Sequence, residues 1–521
     1  MPKRSRPLVS VIIPVYNAQN YLRESIDSVV NQDIGFGYNI ELILVNDGST
    51  DGSGAICEEY AKRHPRNVTY VRQTNQGVSA TRNKGIKLAK GELVTFLDAD
   101  DRLSPDAVRS VNNYFKIARD YVDVAVIRVS LFGARQGPHY ANGKFSAGTR
   151  TADLTRPEWS DVCSRAAQAF FRAEALEGVR FDQEVTLFED TKFVNQVLAK
   201  KMRLGVVSQG AYLYRVYSPD SDDSTSLTTG AESDPRLYTD TPEKVSLWLL
   251  NMGKTRYFQY VALSEMRWRT FYNRCLPAEV LSPAQLNRFR ATNARILGLI
   301  NVDAILTYNL YTFWQKLYLI GLKLNRNVIP EVNLDNAGRM TWNGSSLFNL
   351  PEDCRVHLSD IEVDKGTDSI TVKGYFYGLF TSDMVLGAKV NGVLCPATVV
   401  WNSVEVTTFP LERVTYRYPS FSLTVPLSRR DVIRFAVQTV SGMYQVKKVS
   451  TSARGNVASV AHRNQIIGNR IIRRFDDHVT IYAMTFRNII QVSLSLLKLL
   501  VRKDTRSKLI ARFTNRKKGR K

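Results

Sequence analysis

Cysteine is scarce. Cys57, Cys163, Cys275, Cys354 and Cys395 are the only five in 521 residues, an odd number, widely scattered and never spaced as CxxC. A disulfide framework and a thiolate zinc site are therefore not expected, and reduced, cytosolic chemistry is. Histidine is as rare, with none between His139 and His357. A signal-peptide core is also missing: the basic opening MPKRSR runs into LVSVIIPVYN, where Pro14 breaks an apolar stretch that reads as a buried strand. Acidic residues are in deficit, 49 against 71 lysines and arginines, which leaves a formal charge of +22.

Such a charge calls for a polyanionic neighbour: nucleic acid, an anionic membrane surface or a phosphate-rich substrate. The excess gathers in the last twenty residues, from Arg502 to Lys521, where Asp504 is the single acid. A basic tail with no interleaved aromatic platform or groove motif is a poor reader of nucleic acid, so no nucleic-acid partner is expected. What is present in quantity is globular: 44% hydrophobic and 10% aromatic residues, enough for real cores in about three units of roughly 100–200 residues each.

From Leu8 to about Leu97, short apolar runs (VSVIIPVY, IELILVND, VTYVRQ, ELVTFLD) alternate with helical stretches. Continuous apolar strands in strict turn with helices predict an α/β fold with a mostly parallel sheet, and the unit is placed at residues 1–235. HYANGKFSAGT reads as a loop, and SPDSDDSTSLTTGAESDP as turn chemistry closing the domain. Residues 236–345 are expected to be a helical linker, and 346–460, with short strands and NG turns, an immunoglobulin-like β-sandwich. Residues 461–521 read as an amphipathic helix and a polybasic tail that seeks an anionic membrane surface, or equally as a helix packed on the sandwich.

The fourth apolar run ends in Asp98-Ala99-Asp100-Asp101. Alternate residues of an extended segment point the same way, so Asp98 and Asp100 face one ligand, with hard oxygens suited to Mg²⁺ or Mn²⁺ bridging a diphosphate. Alone, the three aspartates would equally form a turn or cap the next helix. The other strand ends share that rim: Pro14-Val15-Tyr16-Asn17, then Val45-Asn46-Asp47-Gly48-Ser49-Thr50-Asp51, then Asn75-Gln76-Gly77-Val78-Ser79-Ala80-Thr81-Arg82-Asn83. They offer an aromatic for a base, a carboxylate and an amide for its edge, and an arginine for oxygens. Ligands of open α/β sheets bind at this edge.

PVYN, VNDGSTDGS, NQGVSATRN and DADD, in this order, resemble glycosyltransferase family 2, with its GT-A fold, over about residues 8–230. The resemblance implies that Pro14, Tyr16, Asp47, Asn75 and Arg82 hold the uridine part of a nucleotide sugar, Asp98 the ribose and Asp100 a Mn²⁺ or Mg²⁺ ion. It makes Asp190, in Phe188-Glu189-Asp190-Thr191, the general base, with Glu189 beside it among the substrate-binding residues. The plain alternative is that the two acids complement a helix N-terminus. Tyr212-Leu213-Tyr214-Arg215 resembles the segment after the base, so Arg215 is expected to reach the diphosphate, with Ser224 and Ser226 on a closing loop. The family's processive synthases carry QxxRW and a membrane bundle, and neither is found here.

The whole arrangement is similar to bacterial enzymes that decorate teichoic acids or build capsular polymers. It implies an inverting transfer from a UDP-sugar to a hydroxyl of a polyanionic or lipid-linked glycopolymer, on the cytoplasmic face of the membrane. In such enzymes the accessory domains serve acceptor docking or homo-oligomerisation. The competing readings are a catalytically inactive polymer-binding scaffold, against which Asp98, Asp100 and Asp190 speak, and a nucleic-acid-binding protein, suggested by charge alone.

Overall fold

A computed structural model describes residues 7–483 apart from several short stretches, the longest being 160–167, 219–232, 271–276, 408–412 and 452–463. The closing-loop segment with Ser224 and Ser226, and the basic tail, lie outside the described residues. The chain divides into two compact units, one running from Met1 to Leu310 and the other mainly from Asn325 to Val406 and from Arg413 onward.

The first unit is built on one ten-stranded sheet. Its first strands are β1 (Val9–Val15), β2 (Ile40–Asp47), β3 (Val68–Gln73), β4 (Leu93–Phe96) and β5 (Arg102–Leu103). They are followed by β6 (Val124–Gly133), β7 (Gly137–Pro138), β8 (Arg150–Asp153), β9 (Ala169–Arg172) and β10 (Arg203–Val216). The order along the sheet is β3-β2-β1-β4-β9-β6-β10-β5. Strands β3, β2, β1 and β4 run parallel, as do β6 and β10, while β9 enters antiparallel between β4 and β6.

Burial on both faces follows from the sequence. Every residue of β2 is buried, and in β1 Val9, Val11, Ile13 and Val15 join one core while Ile12 joins the other. That is the period-2 alternation of a strand covered by helices on both sides. The covering helices are α1 (Leu22–Val30), α2 (Phe36–Asn39), α3 (Ser53–Arg63), α4 (Val78–Leu88), α5 (Ala107–Ala118) and α6 (Glu189–Lys201). Within the stretch read as a loop, residues Tyr140–Phe145 wind into a short 3-10 helix.

The helices from Arg236 to Thr307 belong to this first unit. Val245, Leu249, Tyr257, Phe258 and Val261 share the core of Phe193 and Val197 from α6, so their apolar faces are spent on the sheet's own layer.

Among the described strand pairings, those of the second unit are antiparallel except where Arg355–Asp364 and Lys448–Thr451 pair in parallel. A five-stranded and a seven-stranded sheet bring Phe376 and Phe421 of the first against Phe435 of the second, with ring centroids 6.2 and 5.4 Å apart, so the two sheets share one sandwich core. Asn391-Gly392, both at positive φ, close the hairpin between Val385–Val390 and Val393–Pro396. The segment expected to begin the amphipathic tail contributes strands instead: Asn464–Ile467, Arg470–Arg474 and Val479–Ala483 extend the seven-stranded sheet. Arg470 and Ile472, and then Val479, Thr480 and Ile481, are buried in it. The residues read as the apolar helical face and the basic tail, from 484 onward, lie outside the described residues.

Candidate functional site

The carboxyl ends of β1, β2 and β4 lie along one edge of the sheet. At the end of β1, Asn17 takes the left-handed conformation (φ 47°), and its side-chain oxygen accepts from Thr50 N–H at 2.9 Å, tying the first rim loop to the second. Tyr16 beside it is half exposed (53%), an aromatic face open to solvent, and Pro14 sits next to Val45 in the register.

Asp47 ends β2 fully buried. Its carboxylate accepts from Gln73 Nε2 (2.8 Å), Gln76 N–H (2.9 Å) and Gly77 N–H (2.9 Å), so it shapes the loop that carries Asn75. Asn75 is exposed, and its oxygen accepts from Gly77 N–H at 3.2 Å. Gly48 is required here: it lies at φ 76°, and a Cβ would stand 3.0 Å from the Asn75 nitrogen.

Arg82 projects from α4 and is buried. One guanidinium nitrogen donates to Asp98 Oδ1 at 2.9 Å and another to Glu189 Oε1 at 2.8 Å, joining the end of β4 to the start of α6. Burial works against its charge, and the Asp98 and Glu189 carboxylates more than compensate, so Arg82 stays protonated at all ordinary pH. Phe188, immediately before Glu189, is itself left-handed (φ 66°), a conformation that costs a non-glycine residue energy and turns the chain so that Glu189 and Asp190 open α6 at the rim. Asp190 Oδ1 accepts from Thr191 N–H at 2.7 Å.

The rest of the DADD segment is clasped by β10. Asp101 is buried and accepts from the Tyr212 hydroxyl (2.7 Å) and Arg215 N–H (2.7 Å). Asp100 Oδ2 accepts from the Tyr217 hydroxyl at 2.5 Å, and its backbone oxygen from Arg215 Nε at 2.8 Å. Burial, and then the charge of Asp98, push the Asp100 carboxyl up, and burial with the Asp100 and Asp98 charges pushes Asp101 further. Carboxylate oxygens such as those of Asp100 are the hard donors that Mg²⁺ or Mn²⁺ takes. Among the described residues no three His, Cys, Asp or Glu side chains converge as a metal cage. Arg215 carries its guanidinium over the rings of Tyr21 (4.4 Å) and Phe132 (4.5 Å) and donates to Glu24 at 2.8 Å.

Residues 10–179 match the family model described as glycosyl transferase family 2. This stretch is a glycosyltransferase family 2 domain. Minor teichoic acid biosynthesis protein GgaB of Bacillus subtilis is 29% identical over 80% of this chain and 46% of its own length. GgaA of the same organism, of the same description, is 40% identical over 40% of this chain and 47% of its own. The chain thus spans about half the length of these curated relatives. The crystal structure of S. aureus TarS superposes with a TM-score of 0.53 at 16% identity, covering 92% of this chain and 86% of TarS, a likeness of fold.

Of the residues singled out in the family 2 motifs, Arg82, Asp98 and Glu189 meet directly, and Asp190 adjoins them. Asp100 and Arg215 form a second group through the Asp100 carbonyl, and Asp47 acts on Asn75 through the loop. Asp101, Tyr212, Tyr217 and Glu24 were not singled out. Asp101 had a signal, being the third acid of DADD, but nothing local said that it faces inward.

Burial, and then the adjacent Asp190 charge, push the Glu189 carboxyl up to about 7 against the pull of Arg82. A carboxyl raised on folding contributes stability that is full below its ordinary value of about 4.3 and is lost as pH rises through the folded value. The melting temperature of the wild type is thus expected to fall more steeply between pH 5.5 and pH 8 than that of Glu189→Gln, read by scanning fluorimetry. Parallel curves for the two proteins would show that Glu189 is not the titrating group.

Proposed function

We propose that the chain is an inverting, metal-assisted glycosyltransferase that moves a sugar from a UDP-sugar to a hydroxyl of an anionic cell-surface polymer of the teichoic acid or capsular kind. The observation that carries this reading is the Arg82 bridge. It holds the donor-side carboxylate Asp98 and the acid pair Glu189-Asp190 on one rim, where a sugar bound between them would be flanked by a leaving diphosphate and a base. Tyr16 and the Asp47-supported Asn75 loop would receive the base of the nucleotide, Asp98 its ribose, and Asp100 the cation.

In this reading Asp190 takes the proton of the acceptor hydroxyl as its oxygen attacks the anomeric carbon from the face opposite the diphosphate, which inverts the configuration. A bound Mn²⁺ or Mg²⁺ offsets the negative charge that develops on the leaving diphosphate. Arg215 is the candidate for a side-chain contribution there, exchanging Glu24 for phosphate oxygens. The acceptor class rests on the relatives' descriptions as teichoic acid biosynthesis proteins and on the +22 charge of the chain. The basic tail would hold the enzyme to the inner face of the membrane. Among the described residues no helix is long and apolar enough to cross one.

A panel of UDP-sugars assayed for UDP release, with and without Mn²⁺ and with poly(polyol phosphate) acceptors, tests the proposal. One donor is expected to be turned over, faster with acceptor and with metal. Asp100→Ala is expected to weaken Mn²⁺-dependent donor binding by about tenfold or more, measured by calorimetry. A donor affinity indifferent to Mn²⁺ in the wild type would remove the metal from the mechanism.

A further inference from the structure

Tyr217 is the first residue beyond β10, and its position is fixed by what precedes it. Within six residues the chain is pinned to the DADD segment three times: Tyr212 hydroxyl to Asp101 Oδ2 (2.7 Å), Arg215 N–H to Asp101 Oδ1 (2.7 Å) and Arg215 Nε to the Asp100 carbonyl (2.8 Å). The Tyr217 ring then stands edge-on against Tyr21, with centroids 5.6 Å apart at 69°. Backbone anchoring and ring packing together deliver its hydroxyl to Asp100 Oδ2 at 2.5 Å, a short hydrogen bond of the kind a neutral donor makes to a carboxylate.

We propose that Tyr217 is a positioning residue for Asp100: its hydroxyl fixes the carboxylate rotamer so that the remaining lone pairs face the divalent cation. This rests on the reading of Asp100 as the metal ligand. The fold of the segment does not need the bond, because Asp101 already anchors residues 98–101 to β10 through two hydrogen bonds and closes the turn by its own N–H to the Asp98 carbonyl at 3.1 Å. What the phenol adds is orientation of the Asp100 carboxylate. A phenol donates one proton and occupies one of about four lone-pair sites on the carboxylate. Hydrogen bonds to a ligating carboxylate hold it for the metal, and their loss typically costs ten- to a hundredfold in affinity.

The test compares the full-length wild type, Tyr217→Phe and Asp100→Ala. It reads the Mn²⁺ dissociation constant in the presence of UDP by electron paramagnetic resonance, UDP affinity in EDTA, and the melting temperature. Tyr217→Phe keeps the ring against Tyr21 and removes the hydroxyl alone. Its Mn²⁺ dissociation constant is expected to rise about tenfold or more, with metal-free UDP affinity and melting temperature close to wild type. If Tyr217→Phe binds Mn²⁺ within twofold of wild type while Asp100→Ala does not bind it, the positioning role is wrong and the metal site stands. Loss of metal-free UDP affinity and of melting temperature in Tyr217→Phe, in step with the loss of Mn²⁺, would make the bond structural and overturn the proposal. Wild-type Mn²⁺ affinity in Asp100→Ala would remove the metal reading itself and the proposal with it.

Discussion

Asp190→Asn is expected to lower sugar transfer by about a thousandfold, while UDP-sugar affinity stays within about twofold of wild type. The first figure is the middle of the range that a positioned base contributes. The second follows from the local geometry: Asp190 uses Oδ1 to accept from Thr191 N–H at 2.7 Å, and an asparagine keeps an oxygen that makes the same bond, so the opening turn of α6 keeps its shape. What the amide loses is the capacity to take a proton. Initial rates of UDP release with saturating acceptor, set against donor affinity by calorimetry, separate the two effects. Transfer at wild-type rate would assign the base elsewhere. Glu189 is the neighbour to test then: its carboxyl, held up to about 7, lies in the range that suits a general base, although its Oε1 is engaged by Arg82 at 2.8 Å.

The parts of the fold that could be read from the chain are those that depend on local period. In β1 and β2, apolar residues on both faces announced strands covered by helices, and the four rim motifs fell at strand ends because parallel strands place their carboxyl ends on one edge. What could not be read depends on partners distant in sequence. Strand β9 has the composition of any short strand, and only its pairing with β4 and β6 makes it antiparallel. Residues 479–483 spell VTIYA ahead of an apolar helical pattern, and it is the neighbouring strands that draw them into the sheet.

The site shows the same division. Asp98, Asp100 and Asp101 are chemically alike in the sequence, yet Asp98 is tied to Arg82, Asp100 to Tyr217 and Asp101 to Tyr212, the last two partners more than a hundred residues away. The motif gave their number and place; β10 and α4 gave each a separate task. Arg82 reads as a donor-binding residue in the motif, and its second tie, to Glu189 across 107 positions, has no local signature.

That double tie makes Arg82→Met the substitution with the largest expected effect on stability. Arg82 is buried, lies over the Phe181 ring at 5.3 Å, and Phe181 in turn stacks on Phe193 at 3.9 Å in the core beneath the sheet. Methionine fills much of the volume but leaves Glu189, itself largely buried, beside Asp190 with no cation. Breaking a buried pair from one side costs about 3–5 kcal/mol, because the remaining charge keeps its desolvation penalty. Arg82→Lys is expected to recover little, since a single ammonium cannot reproduce the planar fork that reaches Asp98 with one nitrogen and Glu189 with another. Adding Glu189→Leu to Arg82→Met should return a good part of the stability by removing the stranded carboxylate. Asp98, whose side chain is 35% exposed, needs less help because water reaches it. Urea unfolding of the four corners of this cycle reads the coupling directly. Transfer activity should stay lost in the double variant, because the donor-side and base-side acids are then no longer held to each other. A stable, active Arg82→Lys protein would mean that the bridge neither holds the rim together nor organises the chemistry.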